Sequence, residues 1–144
     1  MKLQKNTLLA LYSVLEFAAR PTEHVPAVEV AQKYGESVHH LAKVLSELAR
    51  AGIVESVRGV GGGYRFAANP RRLTLLDVMR LFEDLDTAAP SPAVVTTAAD
   101  RALGQVLAEV DQTTIATLGS ITVATMLAMI ERVERVERVE LGGH

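Results

Sequence analysis

Cationic and imidazole side chains gather at two places in this 144-residue chain. The first is Ser37-Val38-His39-His40-Leu41-Ala42-Lys43, a hydroxyl, two imidazoles and an ammonium in close succession. The second is Arg58-Gly59-Val60-Gly61-Gly62-Gly63-Tyr64-Arg65, where two arginines bracket four glycines. Such groups can hold a metal, cradle a nucleotide phosphate, or touch the phosphates and base edges of a duplex. His39 and His40 make a poor chelate, because successive residues on a helix point about 100° apart. The glycine run lacks the Lys-Ser/Thr that follows a Walker loop, and it lies between two strands, not between a strand and a helix. No serine or histidine has the surroundings of an activated nucleophile, and the absence of cysteine removes thiolate chemistry and disulfides. The expectation is therefore no enzyme, no metal and no cofactor. Contact with double-stranded DNA remains: His39, His40 and Lys43 at base edges with Ser37 beside them, and Arg58 and Arg65 along a groove or backbone. Glycine N–H groups at Gly59, Gly61 and Gly62 would then face phosphate.

Those residues need particular elements beneath them. Leu8, Leu11, Leu15 and Ala18/Ala19 form an apolar stripe that predicts a helix over Lys5 to Ala19. Lys2 and Lys5 at its start are either solvated or in contact with phosphate. A short helix over Ala27–Tyr34 follows. Ser37 is a suitable N-cap for a helix from Val38 to Ala51, whose inner stripe is Leu41, Val44, Leu45 and Leu48. Ile53–Val57 and Tyr64–Ala67 read as strands joined by the glycines. A capping-box-like start at Thr74–Asp77 predicts a helix to about Asp84. Two helices followed by a hairpin is the order of a winged helix, here spanning residues 1–84.

Charge divides in the same way. Residues 1–84 carry a net +2 and residues 85–144 a net −4, within an overall −2. The first part can face an anion while the second stays clear of it. Residues 85–97 contain Pro90, Pro92 and small side chains, and read as a linker or sensor loop. In residues 98–118, Leu103, Val106, Leu107 and Val110 recur at i, i+3, i+4 and i+7, a dimerisation seam for a second copy. Ser120 is expected to cap a helical tail over residues 119–144. That tail ends in a Glu-Arg-Val repeat whose Glu131–Arg135 and Glu134–Arg138 are expected i, i+4 pairs. No apolar run is long enough to cross a bilayer, so the expectation is a soluble, cytoplasmic protein.

Ala51-Gly52-Ile53-Val54-Glu55-Ser56-Val57-Arg58-Gly59-Val60-Gly61-Gly62-Gly63-Tyr64 is similar to the wing signature of the IscR/NsrR family of bacterial transcription regulators. Leu73–Val78 and Thr114–Leu118 resemble later family segments, so the resemblance covers roughly residues 1–118. It implies a mainly α fold with a small β-hairpin: a winged helix-turn-helix domain plus a long C-terminal dimerisation helix. It also implies that His39 and Lys43 read bases and that Arg58 enters the minor groove. The chain departs from the family at Ala42, where many members have Glu, and at Gln4-Lys5-Asn6-Thr7-Leu8, where members often carry a more basic segment. It departs most in having none of the three cysteines that bind a cluster in the iron–sulfur members. The resulting expectation is a homodimeric DNA-binding regulator, a repressor on a palindromic operator, without an iron–sulfur cluster and answering to a small-molecule or protein effector. The alternative is a winged-helix module for protein–protein contact.

Overall fold

The computed structural model describes residues 2–59, 62–85 and 97–142. Its helices are α1 (Lys5–Ala19), α2 (Ala27–Lys33), α3 (Val38–Arg50), α4 (Leu75–Met79), α5 (Ala98–Ser120) and α6 (Val123–Gly142), with strands β1 (Val54–Val57) and β2 (Gly63–Phe66) between α3 and α4. The strands are antiparallel, with Val54 opposite Phe66 and Val57 opposite Gly63. An isolated bridge between Val25 and Tyr64 adds a third strand-like segment on the far side of β2.

The core lies among α1, α2, α3 and the hairpin. Leu41, Val44, Leu45 and Leu48 of α3 are all at most 2% exposed, as their spacing predicts. Each such side chain stabilises the fold by roughly 1.5–3 kcal/mol relative to exposure. Helix α1 buries a face rotated from the expected one. Leu9, Ala10, Val14, Phe17 and Ala18 are inside with Thr7 and Ser13, whereas Leu8 is exposed and Leu11 and Leu15 are only partly covered. The helix is apolar around most of its circumference, so its neighbours choose the face. Small Ala10 and Ser13 let them approach, and the Ser13 hydroxyl is satisfied by donating to the Leu9 carbonyl at 2.7 Å.

The predicted capping box at Thr74 and Asp77 is present, each side chain bonding the other's backbone N–H. The helix it opens ends at Met79, short of Asp84, because the chain tightens into i→i+3 turns from Leu81 to Val78 and from Phe82 to Met79. A second capping box, Thr97 with Asp100, opens α5. It is visible in the sequence as Thr-x-x-Asp but was not anticipated. Helix α5 then runs unbroken for 23 residues and contains no buried side chain.

The tail differs most from expectation. The Ser120 hydroxyl donates back to the Thr117 carbonyl and closes α5, while Thr122 accepts from the Thr125 N–H and opens α6. The junction is stitched to the loop before α4. Leu75 N–H donates to the Ile121 carbonyl, Val123 N–H to that of Leu73, and Ala124 N–H to that of Pro70. These bonds set Val123 into the core at 0% exposure, with Leu127 packed beside it. The core of residues 1–84 is therefore not closed by those residues alone. Neither Glu131–Arg135 nor Glu134–Arg138 is among the ion pairs formed by the described residues.

Candidate nucleic-acid interface

Helix α3 begins as its sequence requires. Ser37 has an extended backbone, and its hydroxyl accepts the His40 N–H at 3.1 Å. Val38 and His39 beyond it are exposed, and so is Lys43. His39 and Lys43 stand four residues apart and share a face, turned away from the buried stripe. The adjacent histidine does something else. His40 is half-buried, and its Nε2 lies 2.8 Å from Asn6 Oδ1 on α1. His40 therefore ties the N-terminal end of α3 to α1. Asn6 was not anticipated, since a lone polar residue near a helix start carries no pattern of its own.

Lys2 and Lys5 are exposed at the start of the chain. Lys5 Nζ is 2.8 Å from Glu36 Oε2, immediately before the Ser37 cap. That ammonium first, then the Ser37 N–H, holds the Glu36 carboxyl below its ordinary value. Lys5 thus carries less free charge toward an anion than its position suggested.

The wing shows a similar split. Gly59 has φ +107°, in the left-handed region, and the Gly62 N–H donates to the Gly59 carbonyl to close the turn. A Cβ at Gly62 would lie 2.5 Å from the Val57 carbonyl oxygen, so that position admits no side chain. Gly61 lies outside the described residues. Arg58 is exposed and forms no ion pair or hydrogen bond with a described residue. Arg65 stands directly across from Glu55, and its Nη2 is 2.7 Å from Glu55 Oε2. Of the two wing arginines, only Arg58 is free of a carboxylate among the described residues.

The wing's attachment was not foreseen. Val25 N–H donates to the Tyr64 carbonyl at 2.8 Å, and Tyr64 N–H to the Val25 carbonyl at 2.9 Å. Gly63 makes this approach possible, since a Cβ there would meet the Val25 carbonyl oxygen at 2.5 Å. It serves as a packing glycine in β2, not as part of a loose tip.

On α5, Leu103, Val106, Leu107 and Val110 are each between 54% and 58% exposed. That is an apolar face left largely uncovered by the described residues. The expected linker, residues 85–97, falls almost wholly outside the described residues.

The profile of Rrf2, described as an iron-dependent transcriptional regulator, matches residues 3–129. The residues do not fit a thiolate-held iron cluster, because the chain has no cysteine. Among the described residues no group of three or more His, Cys, Asp or Glu is placed to hold a metal ion. BadM of Rhodopseudomonas palustris, named as an HTH-type transcriptional regulator, is 50% identical over 123 residues, covering 85% of this chain and 79% of its own length. NsrR of Bacillus subtilis, also named as an HTH-type transcriptional regulator, is 38% identical over 85 residues, 58% of each chain. Among solved structures, IscR of T. potens superposes with a TM-score of 0.75 at 25% identity, covering 92% of this chain and 90% of that one. CymR of B. subtilis shares the fold, with a TM-score of 0.75 at 24% identity over 90% of this chain and 98% of its own. No helix among the described residues is long and apolar enough to cross a membrane. An exposed polar start to α3 and an arginine-bearing hairpin accord with these matches, which make this chain a member of the Rrf2 family, a DNA-binding winged-helix transcriptional regulator and not an enzyme.

Proposed function

We propose that the protein is a cytoplasmic repressor that binds a palindromic operator as a homodimer. Its signal comes from a small molecule or a protein, not from an iron–sulfur cluster. One observation carries the DNA-reading part: His39 and Lys43 share an exposed face at the start of α3, and Arg58 on the wing has no partner among the described residues. His39 and Lys43 read base edges from the major groove, and Ser37 and the backbone around it meet phosphate. Arg58 enters the adjacent minor groove, where negative potential is enhanced. Gly59, Gly61 and Gly62 let the wing backbone come close. Lys2 and Lys5 add phosphate contacts at the rim, while His40 and Arg65 hold the reading elements in place through Asn6 and Glu55. The uncovered α5 face supports the dimer, which would set two recognition helices about 34 Å apart, or a multiple of that.

The test is a fluorescence-anisotropy titration with an operator duplex and with random duplex at several salt concentrations. Arg58→Ala should weaken operator binding about 10- to 100-fold, equivalent to about 1–3 kcal/mol. Lys43→Ala should reduce both affinity and the preference for operator. An Arg58 variant that binds like the parent at every salt concentration removes the wing from the reading.

A further inference from the structure

A groove of about 550 Å³ runs along the junction of α1, α2 and α6, and none of the residues in the DNA reading lines it. Its walls are Tyr12, Leu15, Tyr34, Met126, Leu127 and Ile130. That volume and mostly apolar lining suit a small organic molecule. The two tyrosines stack in parallel, with centroids 4.6 Å apart and planes 2° apart, and Tyr12 keeps 38% of its surface exposed. Open aromatic surface is therefore on offer.

The polar groups decide which kind of molecule. Glu16, Glu131 and Glu134 line the groove, against one cation, Lys33. Lys33 is already taken. Its Nζ is 2.6 Å from Glu16 Oε1 and 5.8 Å from the Tyr34 ring centroid. The Tyr34 hydroxyl donates to the same Glu16 oxygen at 2.6 Å. Burial first, and then that bond, raise the Tyr34 phenol above its ordinary value, so it remains a neutral donor near neutral pH. The Glu131 and Glu134 carboxylates form no ion pair or hydrogen bond with a described residue. Arg135 and Arg138 of α6 line a neighbouring depression together with these two carboxylates. The groove thus presents π faces, an aliphatic wall and two carboxylates outside any ion pair of the described residues, and its own Lys33 shows that a cation settles against Tyr34.

We propose that this groove binds a small organic cation with an aromatic or aliphatic body, and that the bound cation changes the protein's affinity for DNA. The body covers Tyr12, Leu15, Met126 and Ile130, and the positive centre faces Glu131 and Glu134 over the tyrosine rings. The second half of the proposal rests on the regulator reading above. Helix α2 is the first helix of the helix-turn-helix pair, and α6 follows directly from the proposed dimer helix. A ligand between them touches both.

The test uses the full-length chain and a charge-opposed pair of equal shape, tetraphenylphosphonium and tetraphenylborate. In calorimetry without DNA, the cation should bind about tenfold or more tightly than the anion. Glu131→Gln combined with Glu134→Gln should erase most of that preference, as should Tyr12→Ala, while thermal unfolding of the doubly substituted chain stays like the parent's, since both positions are exposed. In anisotropy titrations, tetraphenylphosphonium should shift operator affinity several-fold for the parent and not for the double variant. Equal binding of cation and anion, no binding of either, or unchanged cation binding by the double variant overturns the site. Selective cation binding without any change in operator affinity overturns the regulatory half alone.

Discussion

Replacing Gly63 with alanine isolates the contact that locates the wing. The added Cβ would lie 2.5 Å from the Val25 carbonyl oxygen, 2.7 Å from its carbon and 2.9 Å from the Pro26 nitrogen. All three are backbone atoms, so no rotamer change relieves the clash. Ordinary contact begins near 3.4 Å, so the Val25–Pro26 segment must retreat by about 1 Å. That retreat breaks the two bonds between Val25 and Tyr64, each worth about 1 kcal/mol net. It also loosens Val25, which is 1% exposed in the core. The expected loss is about 2–3 kcal/mol, or a fall in Tm of roughly 6–12 °C for a chain of this size. Thermal unfolding followed by circular dichroism at fixed protein concentration measures it. Fixed concentration matters because dimer formation would make Tm depend on it. Operator affinity of the folded variant should fall too, because β2 is no longer held beside the segment that leads into α2. A variant that melts within 2 °C of the parent would refute the close approach at Gly63.

Three further outcomes test separate elements. Leu107→Glu places a carboxylate in the exposed α5 face and should yield monomers in analytical ultracentrifugation, so a stable dimer counts against that seam. Val123→Ala removes two methyl groups at 0% exposure and should cost about 2–3 kcal/mol in urea unfolding, whereas an unchanged midpoint would mean that α6 does not complete the core. The folded Glu36 carboxyl titrates below its ordinary 4.5 because of Lys5, so the pair's contribution to stability is present above that pH and is lost as pH falls through the lowered value. Glu36→Gln should therefore flatten the acid limb of a stability–pH profile, and a limb as steep as the parent's rules the pair out as its source.

Local pattern carried far in this chain. The α3 stripe, the Ser37 cap and the Thr74 capping box each depend on residues a few positions apart, and each is formed as read. The hairpin was legible because its glycines sit between two short apolar-polar runs. The role of Gly63 was not, since the atom it must avoid belongs to Val25, far away in sequence. The face that α1 buries is not legible in its spacing, because several of its faces are apolar. Thr122 displaced Ser120 as the cap because backbone bonds to Leu73 and Pro70 set where α6 starts.

The winged-helix order, the cysteine-free chemistry that excludes a thiolate-held cluster and the set of candidate DNA-facing cations are legible in the chain alone. These follow from residue type and short spacing. Which of those cations stay free depends on how the helices pack. Glu36 takes Lys5, Glu55 takes Arg65 and Asn6 takes His40, leaving Lys2, His39, Lys43 and Arg58 uncommitted among the described residues. The reason is that neutralisation depends on distance in space. Lys5 and Glu36 lie far apart along the chain, and only the packing of α1 beside the turn before α3 brings them within 2.8 Å.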